Sequence, residues 1–94
     1  MNLTRISGTN KKHRVTLYAL STCGWCRRAK DLFNANNIEY DYIDVDLCVG
    51  EEREEVINQV QKLNPRVSFP TIQIDDSVVV GFDEERIKQL LEIK

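Results

Sequence analysis

The alternation of hydrophobic and polar residues divides the chain into a polar opening segment followed by short segments of recognisable period. Residues 1–14 show no period, which predicts a flexible tail without a role in the fold. Residues 15–20 are β-branched, aromatic and apolar on both faces, as expected of a central strand that is covered on two sides. Cys26, Ala29 and Phe33 then recur at helical spacing, which predicts a helix with one buried face.

Further segments complete the predicted architecture. Residues 38–45 alternate tyrosines with acidic residues, and the exposed acids favour a strand at the edge of the sheet. A helix follows and stops at Pro65, while residues 69–74 and 78–80 predict the two strands of a hairpin. The last helix begins after Asp83, a suitable N-cap residue. The order β-α-β-α-β-β-α predicts an α/β fold in which a four-stranded mixed sheet is flanked by three helices.

Length and charge narrow the class of protein. With 94 residues the chain is predicted to form one domain, over residues 15–94, whose site must lie on the surface because so small a core encloses no large cavity. A net charge of −2 counts against a nucleic-acid-binding protein. No apolar run approaches the roughly 18–20 residues that span a membrane, and the first residues contain no apolar signal stretch. These features predict a cytoplasmic protein.

Cys23-Gly24-Trp25-Cys26 is the strongest chemical signal in the sequence. The pair directly follows a predicted buried strand and lies in the first turn of a predicted helix, where unpaired N–H groups and the helix dipole favour a thiolate. Cys23 is therefore expected to attack disulfides, and Cys26, one turn further, to resolve the mixed disulfide. Cys48, the third cysteine, is expected to be a small buried hydrophobe, with a second disulfide or a regulatory role left open.

Zinc binding is the alternative for these cysteines. A structural zinc site needs four ligands, usually arranged as two close pairs. The chain offers only one close pair, and the candidate ligands are Cys23, Cys26, Cys48 and His13. His13 lies in the predicted tail, where a solvated side chain is expected. No metal site is therefore predicted.

Three short motifs together resemble those of the glutaredoxin branch of the thioredoxin superfamily. The cysteine pair is followed by Ser68-Phe69-Pro70-Thr71 before the hairpin and by Gly81-Phe82-Asp83 before the last helix, in the family's order. The resemblance extends from about Val15 to the C-terminus and implies the thioredoxin-like fold, with a cis bond before Pro70. It also implies that the backbone of Phe69 pairs with an extended segment of the substrate. The residues that it places in the substrate site are Gly24, Trp25, Phe69, Pro70, Thr71, Gly81, Phe82 and Asp83.

Several positions depart from ordinary glutaredoxins, and one of these departures resembles the glutaredoxin-like redoxins that donate electrons to ribonucleotide reductase. Gly24-Trp25 stands where the family usually has Pro-Tyr, and Leu20 stands where many members have a lysine for the glutathione carboxylate. Ordinary glutaredoxins usually have two glycines followed by a polar pair that holds glutathione, whereas this chain has Gly81-Phe82, as in those redoxins. The resemblance implies a monomer that holds no tightly bound cofactor and acts on a disulfide-containing protein, such as ribonucleotide reductase. Its reductant is either a flavoprotein of the thioredoxin-reductase type or glutathione.

The function predicted from these features is that of a thiol–disulfide oxidoreductase that reduces protein disulfides or mixed disulfides. The alternative is a glutathione-dependent carrier of a 2Fe–2S cluster, because Gly24 replaces a proline that opposes cluster binding in the family. An interaction module that retains the motif is the third option. Trp25 is expected to be exposed as an anchor for a partner. For Phe82, a place in the same apolar rim and packing under the last helix are both open.

Overall fold

A computed structural model describes residues 1–94 and contains one mixed sheet with helices on both faces. Its elements in chain order are β1 (Thr4–Ile6), β2 (Val15–Ala19), α1 (Gly24–Ala35), β3 (Tyr40–Asp44), a 3-10 turn (Val45–Leu47), α2 (Gly50–Leu63), β4 (Thr71–Ile74), β5 (Ser77–Val80) and α3 (Glu84–Leu91). The strand order is β1-β3-β2-β4-β5, in which β2 and β3 are parallel and the other neighbours are antiparallel. None of the helices has the length and apolar character needed to cross a membrane.

The central strand β2 is buried on both faces, as its apolar pattern predicts. Leu17 packs in the same cluster as Phe33 of α1 and Ile87 of α3, whereas Tyr18 packs on the opposite face with Val56 of α2. Burial of one such side chain contributes about 1.5–3 kcal/mol, so these clusters fix the three helices against the sheet. Because β2 and β3 are parallel, the loops that follow them lie at the same edge of the sheet.

The sheet has five strands rather than the predicted four, and the segment predicted to be a flexible tail contributes the additional one. β1 pairs antiparallel with β3, and Arg5 donates from Nε to Asp41 Oδ1 at 2.9 Å and from Nη2 to Asp41 Oδ2 at 3.2 Å. β3 is therefore an inner strand rather than the predicted edge strand. Asp41, one of the acids that favoured the edge position, forms an ion pair with Arg5 instead of facing water alone. The tail prediction was wrong because three residues are too few to show a period.

The segment after β1 approaches the start of β3 through a glycine. A Cβ atom on Gly8 would lie 2.4 Å from the carbonyl oxygen of Asn37, so only glycine fits without a shift of backbone. Beyond it, the Asn10 N–H donates to the Asn37 carbonyl at 2.9 Å, and Asn10 forms a parallel bridge with Ile38. The opening residues are thus held against the sheet at two separate points.

His13 is not the solvated tail residue that the sequence predicted. Its side chain is 15% exposed, with Nδ1 2.6 Å from Asp75 Oδ2 and Nε2 2.9 Å from Glu92 Oε2. The hydrogen bond to Asp75 is the main cause of a raised pKa at His13, and the same bond lowers the pKa of Asp75. The imidazole connects the opening segment to the β4–β5 turn and to the end of α3, three parts of the chain whose contact the local sequence does not indicate.

We expect His13 to make the stability of the fold depend on pH. Because folding raises the pKa of His13, its contribution is complete below the unfolded value of about 6.5 and is lost as the pH rises through the folded pKa. Folding lowers the pKa values of Asp75 and Glu92, so their contribution is present above about pH 4 and is lost on further acidification. Urea unfolding should show the largest difference between the wild type and His13→Gln from about pH 4.5 to 6.5. A difference that stays constant up to about pH 9 would contradict this assignment.

Candidate active site

Cys23 is the N-cap residue of α1, directly after the loop that leaves β2. Its backbone is extended, and its Sγ accepts a hydrogen bond from the backbone N–H of Cys26 at 3.1 Å. The Cys23 N–H donates to the Leu20 carbonyl at 3.1 Å, which fixes the turn before the helix. A negative charge on this sulfur is stabilised by the first N–H groups of α1, which have no intrahelical partner, and by the positive end of the helix dipole.

Cys26 lies in the same turn but in a different environment. It is 1% exposed and belongs to the core cluster on the α1 face of the sheet. Burial, together with its interaction with Cys23, raises the pKa of Cys26 to about 12, so this thiol stays protonated at neutral pH. The pair is therefore asymmetric: the partly exposed Cys23 can meet a substrate disulfide, whereas Cys26 can react only with a group that is already bound to Cys23.

The loop that carries Cys23 is anchored by a residue that follows the neighbouring strand β3. Asp46, in the 3-10 turn after β3, accepts the Ser21 N–H at 2.8 Å and also the Ser21 hydroxyl. The hydroxyl bond is the main cause of a lowered pKa at Asp46. No motif in the sequence indicates this role for Asp46. The available signal was an acidic residue directly after the second strand of a predicted parallel pair, where the two loops must meet.

The other two motifs are brought to the same end of the molecule. The bond between Phe69 and Pro70 is cis, the isomer that the family resemblance implies. The Gly81 N–H donates to the Pro70 carbonyl at 2.8 Å, and Gly81 adopts a φ of 79°, which favours glycine. Phe82 then stacks on Trp25 of the cysteine motif, with ring centroids 6.0 Å apart. The three sequence motifs thus form one continuous surface.

The exposed Trp25 and the half-buried Phe82 form the apolar part of that surface. Trp25 is 57% exposed, as predicted, and the Arg28 guanidinium lies 4.9 Å from its ring centroid. Phe82 does both things that the sequence left open, since it stacks on Trp25 and also packs against the core cluster. A Cβ on Gly24 would meet nothing within 4 Å, so the backbone between the two cysteines is open to a partner.

The loop before Pro70 is organised by Asn64, the C-cap residue of α2. Asn64 is 3% exposed, and its Nδ2 donates to Ser68 Oγ at 2.9 Å and to Thr71 Oγ1 at 3.1 Å. Its Oδ1 accepts the Arg66 N–H at 3.2 Å. The loop includes Val67 at a φ of 50°, a left-handed conformation that costs a side-chain-bearing residue about 1–2 kcal/mol. No periodicity or motif signals this network, because one amide serves partners that only the folded loop brings together.

Two other predicted residues have structural roles. The Asp83 carboxylate accepts the Arg86 N–H at 3.2 Å and caps α3, as predicted. Cys48 is buried, with Sγ 3.6 Å from the Asp44 carbonyl oxygen, and its burial raises its pKa. It is absent from the residues that line the cavity at the cysteine pair, which are Leu20, Ser21, Cys23, Cys26, Arg27 and Lys30. Cys48 thus occupies the buried hydrophobic position that the sequence predicted for it.

Comparison with known proteins relates this chain to glutaredoxins. The family model for glutaredoxin matches residues 15–79. A glutaredoxin-like 8.6 kDa protein from the rubredoxin operon of Clostridium pasteurianum is 33% identical over 79 residues, which cover 83% of this chain and 97% of that protein. Glutaredoxin 1 of Rickettsia prowazekii is 33% identical over 87 residues, covering 85% of this chain and 88% of the relative.

Solved structures extend the likeness to the whole fold. The crystal structure of a glutaredoxin from Methanosarcina mazei Go1 is 39% identical with a TM-score of 0.85, covering 97% of this chain and 88% of that one. Methanosarcina acetivorans methanoredoxin is 37% identical with a TM-score of 0.86, covering 97% and 95% of the two chains. The mixed sheet, the three helices and the cysteine pair at the start of α1 agree with this likeness. The chain belongs to the glutaredoxin family of thiol oxidoreductases and has the thioredoxin-like fold.

Proposed function

We propose that this protein reduces disulfides of other proteins, or mixed disulfides, through Cys23 and Cys26. The observation that carries the proposal is the asymmetry of the pair: the Cys23 sulfur accepts the Cys26 N–H at the start of α1, while Cys26 is buried and protonated. The exposed sulfur suits attack on a partner's disulfide. The buried thiol suits the second, intramolecular step.

The reaction proceeds in two thiol–disulfide exchanges. The Cys23 thiolate attacks one sulfur of the substrate disulfide, a bond forms between them, and the other substrate sulfur leaves as a thiolate. Cys26 then loses its proton and attacks the Cys23 sulfur, and the second substrate sulfur leaves with the electron pair of the broken bond. Two electrons pass to the substrate, and the protein is left with a Cys23–Cys26 disulfide that a reductant must reopen.

The substrate is proposed to bind across the surface that the three motifs form. Trp25, stacked on the half-buried Phe82, offers exposed aromatic area of the kind that anchors protein partners. The backbone of Phe69, next to the cis bond, is proposed to pair with an extended segment of the substrate. The groups proposed to line the contact are Gly24, Trp25, Phe69, Pro70, Thr71, Gly81 and Phe82. Asp83, which caps α3, is proposed to contribute by fixing the position of the loop that precedes this helix.

The reductant is proposed to be a flavoprotein disulfide reductase of the thioredoxin-reductase type, with glutathione as the second candidate. Gly81-Phe82 replaces the two glycines and polar pair with which ordinary glutaredoxins hold glutathione, and Phe82 is engaged in the aromatic stack on Trp25. The substrate is proposed to be a protein disulfide in the cytoplasm, and ribonucleotide reductase is the specific candidate that the family resemblance offers. The protein is proposed to work as a monomer without a tightly bound cofactor.

A comparison of reductants tests this proposal. With insulin as the disulfide substrate, NADPH consumption should be at least about tenfold faster with thioredoxin reductase than with glutathione and glutathione reductase. Assays without the protein give the background rate of each reductase. Turnover with glutathione and glutathione reductase, but not with thioredoxin reductase, would overturn the proposed reductant. The proposed disulfide chemistry would remain in place. Absence of turnover with both reductants and with dithiothreitol, in a folded sample, would overturn the function itself.

A further inference from the structure

Lys30 lies one helical turn after Cys26 and lines the same cavity as both active-site sulfurs. The cavity has a volume of about 210 Å³ and opens between α1 and the loop after β2. Residues four apart on a helix project from the same face, so the ammonium group of Lys30 lies on the Cys26 side of α1. Arg27 also lines the cavity but is an exposed residue, whereas the side chain of Lys30 is only 26% exposed.

Two groups on β3 hold this ammonium in place. Lys30 Nζ lies 3.8 Å from Asp44 Oδ1 and 4.0 Å from the centroid of the Tyr42 ring. Asp44 Oδ1 is buried and has no hydrogen-bond partner. A buried carboxylate oxygen without a partner is costly, so the nearby cation offsets an unfavourable charge. The result is an ammonium group that an ion pair and a cation–π contact hold at the cavity, rather than one that moves freely in water.

The second step of the proposed reaction needs such a charge. Cys26 must become a thiolate before it attacks, and burial, which raises its pKa to about 12, opposes this. Cys23 also raises the pKa of Cys26, whereas a backbone hydrogen bond at Leu20 and the charge of Lys30 lower it. Once Cys23 is bonded to the substrate, it carries no charge. Lys30 then remains as the cation that lines the same cavity as Cys26 and favours its thiolate.

We propose that Lys30, held by Asp44 and Tyr42, is a positioning residue for the resolving step, where its ammonium stabilises the Cys26 thiolate. This inference rests on the proposed dithiol mechanism. In the step concerned, the Cys26 proton passes to solvent and the Cys26 sulfur bonds to the Cys23 sulfur. The bond between Cys23 and the substrate sulfur breaks, and its electron pair leaves with the substrate thiolate. Lys30 keeps its own proton throughout.

The two exchanges can be followed separately in one reaction. The reduced protein is mixed with one equivalent of an aromatic disulfide whose released thiolate absorbs visible light. The first release reports attack by Cys23, and the second reports resolution by Cys26. Lys30→Met removes the charge and keeps the length of the side chain, whereas Lys30→Arg keeps the charge and serves as the matched control.

We expect Lys30→Met to slow the second release by about tenfold at neutral pH and to move its pH profile upward by about one unit, because one pKa unit corresponds to a tenfold change. The first release should change by less than about threefold, and Lys30→Arg should resemble the wild type. An unchanged second release in a folded Lys30→Met protein would overturn the inference while leaving the dithiol mechanism intact. A wild-type protein that shows no second release would instead overturn the proposed function.

Discussion

Cys23→Ser is expected to lower the rate of disulfide reduction by at least about a thousandfold, because the variant lacks the attacking sulfur. Neither remaining thiol can replace it. Cys26 is 1% exposed and has its pKa raised to about 12, and Cys48 is buried away from the cavity at the cysteine pair. The measurement is the initial rate of insulin reduction with dithiothreitol as the common reductant, since this assay does not depend on the identity of the physiological reductase.

Two further variants test whether the loss of activity in Cys23→Ser is due to the loss of the nucleophile. Cys26→Ser retains the attacking sulfur but cannot resolve, so exposure to a small disulfide should leave a stable adduct on Cys23, visible by intact-mass analysis. Cys48→Ala should keep nearly the full rate, because Cys48 contacts a backbone carbonyl rather than the pair. Retention of activity in Cys23→Ser, or its loss in a folded Cys48→Ala protein, would show that the wrong thiol has been assigned as the nucleophile.

Elements whose signal is local could be predicted from the sequence. Residues 15–20 predict β2 because a strand buried on both faces shows an apolar run, and the structure has it at Val15–Ala19. Asp83 predicts the start of α3 because capping involves residues only three apart. β1 could not be predicted in this way. Its three residues gain stability from pairing with β3 and from the Arg5–Asp41 ion pair, and both partners lie far along the chain.

In the candidate site, too, the features that could be predicted are local in sequence, and those that could not are contacts between distant parts of the chain. The place of Cys23 and Cys26 follows from a strand, a short loop and a helix start that are adjacent in sequence. The groups that fix or tune this pair come from elsewhere: Asp46 holds its loop from the neighbouring strand end, and Asp44 faces Lys30 from β3. Such contacts depend on which loops meet when β2 and β3 pair in parallel, so only the folded arrangement reveals them.

Asn64→Ala is expected to destabilise the fold by about 2–4 kcal/mol, because a buried polar group left without a partner costs about 1–3 kcal/mol. The Asn64 side chain donates to Ser68 and Thr71 and accepts from the Arg66 N–H, and it is almost fully buried. Alanine removes all of these bonds and leaves a small void where water has little access. Urea unfolding followed by circular dichroism measures the change in the free energy of unfolding. Asn58→Ala is the matched control, since Asn58 is exposed on α2 and its loss should change stability by less than about 0.5 kcal/mol.

Asn64→Ala is also expected to reduce the rate of disulfide reduction under conditions in which the variant remains folded. The amide holds the loop that leads to the Phe69–Pro70 bond, and this loop includes Val67 in a left-handed conformation. Without its anchor the loop should relax, and the Phe69 backbone proposed to pair with the substrate should lose its position. A structural role alone would lower stability and leave the rate of the folded fraction unchanged. A rate that falls by about tenfold for insulin but by less than about threefold for a small aromatic disulfide would instead indicate that Asn64 positions the surface used by protein substrates.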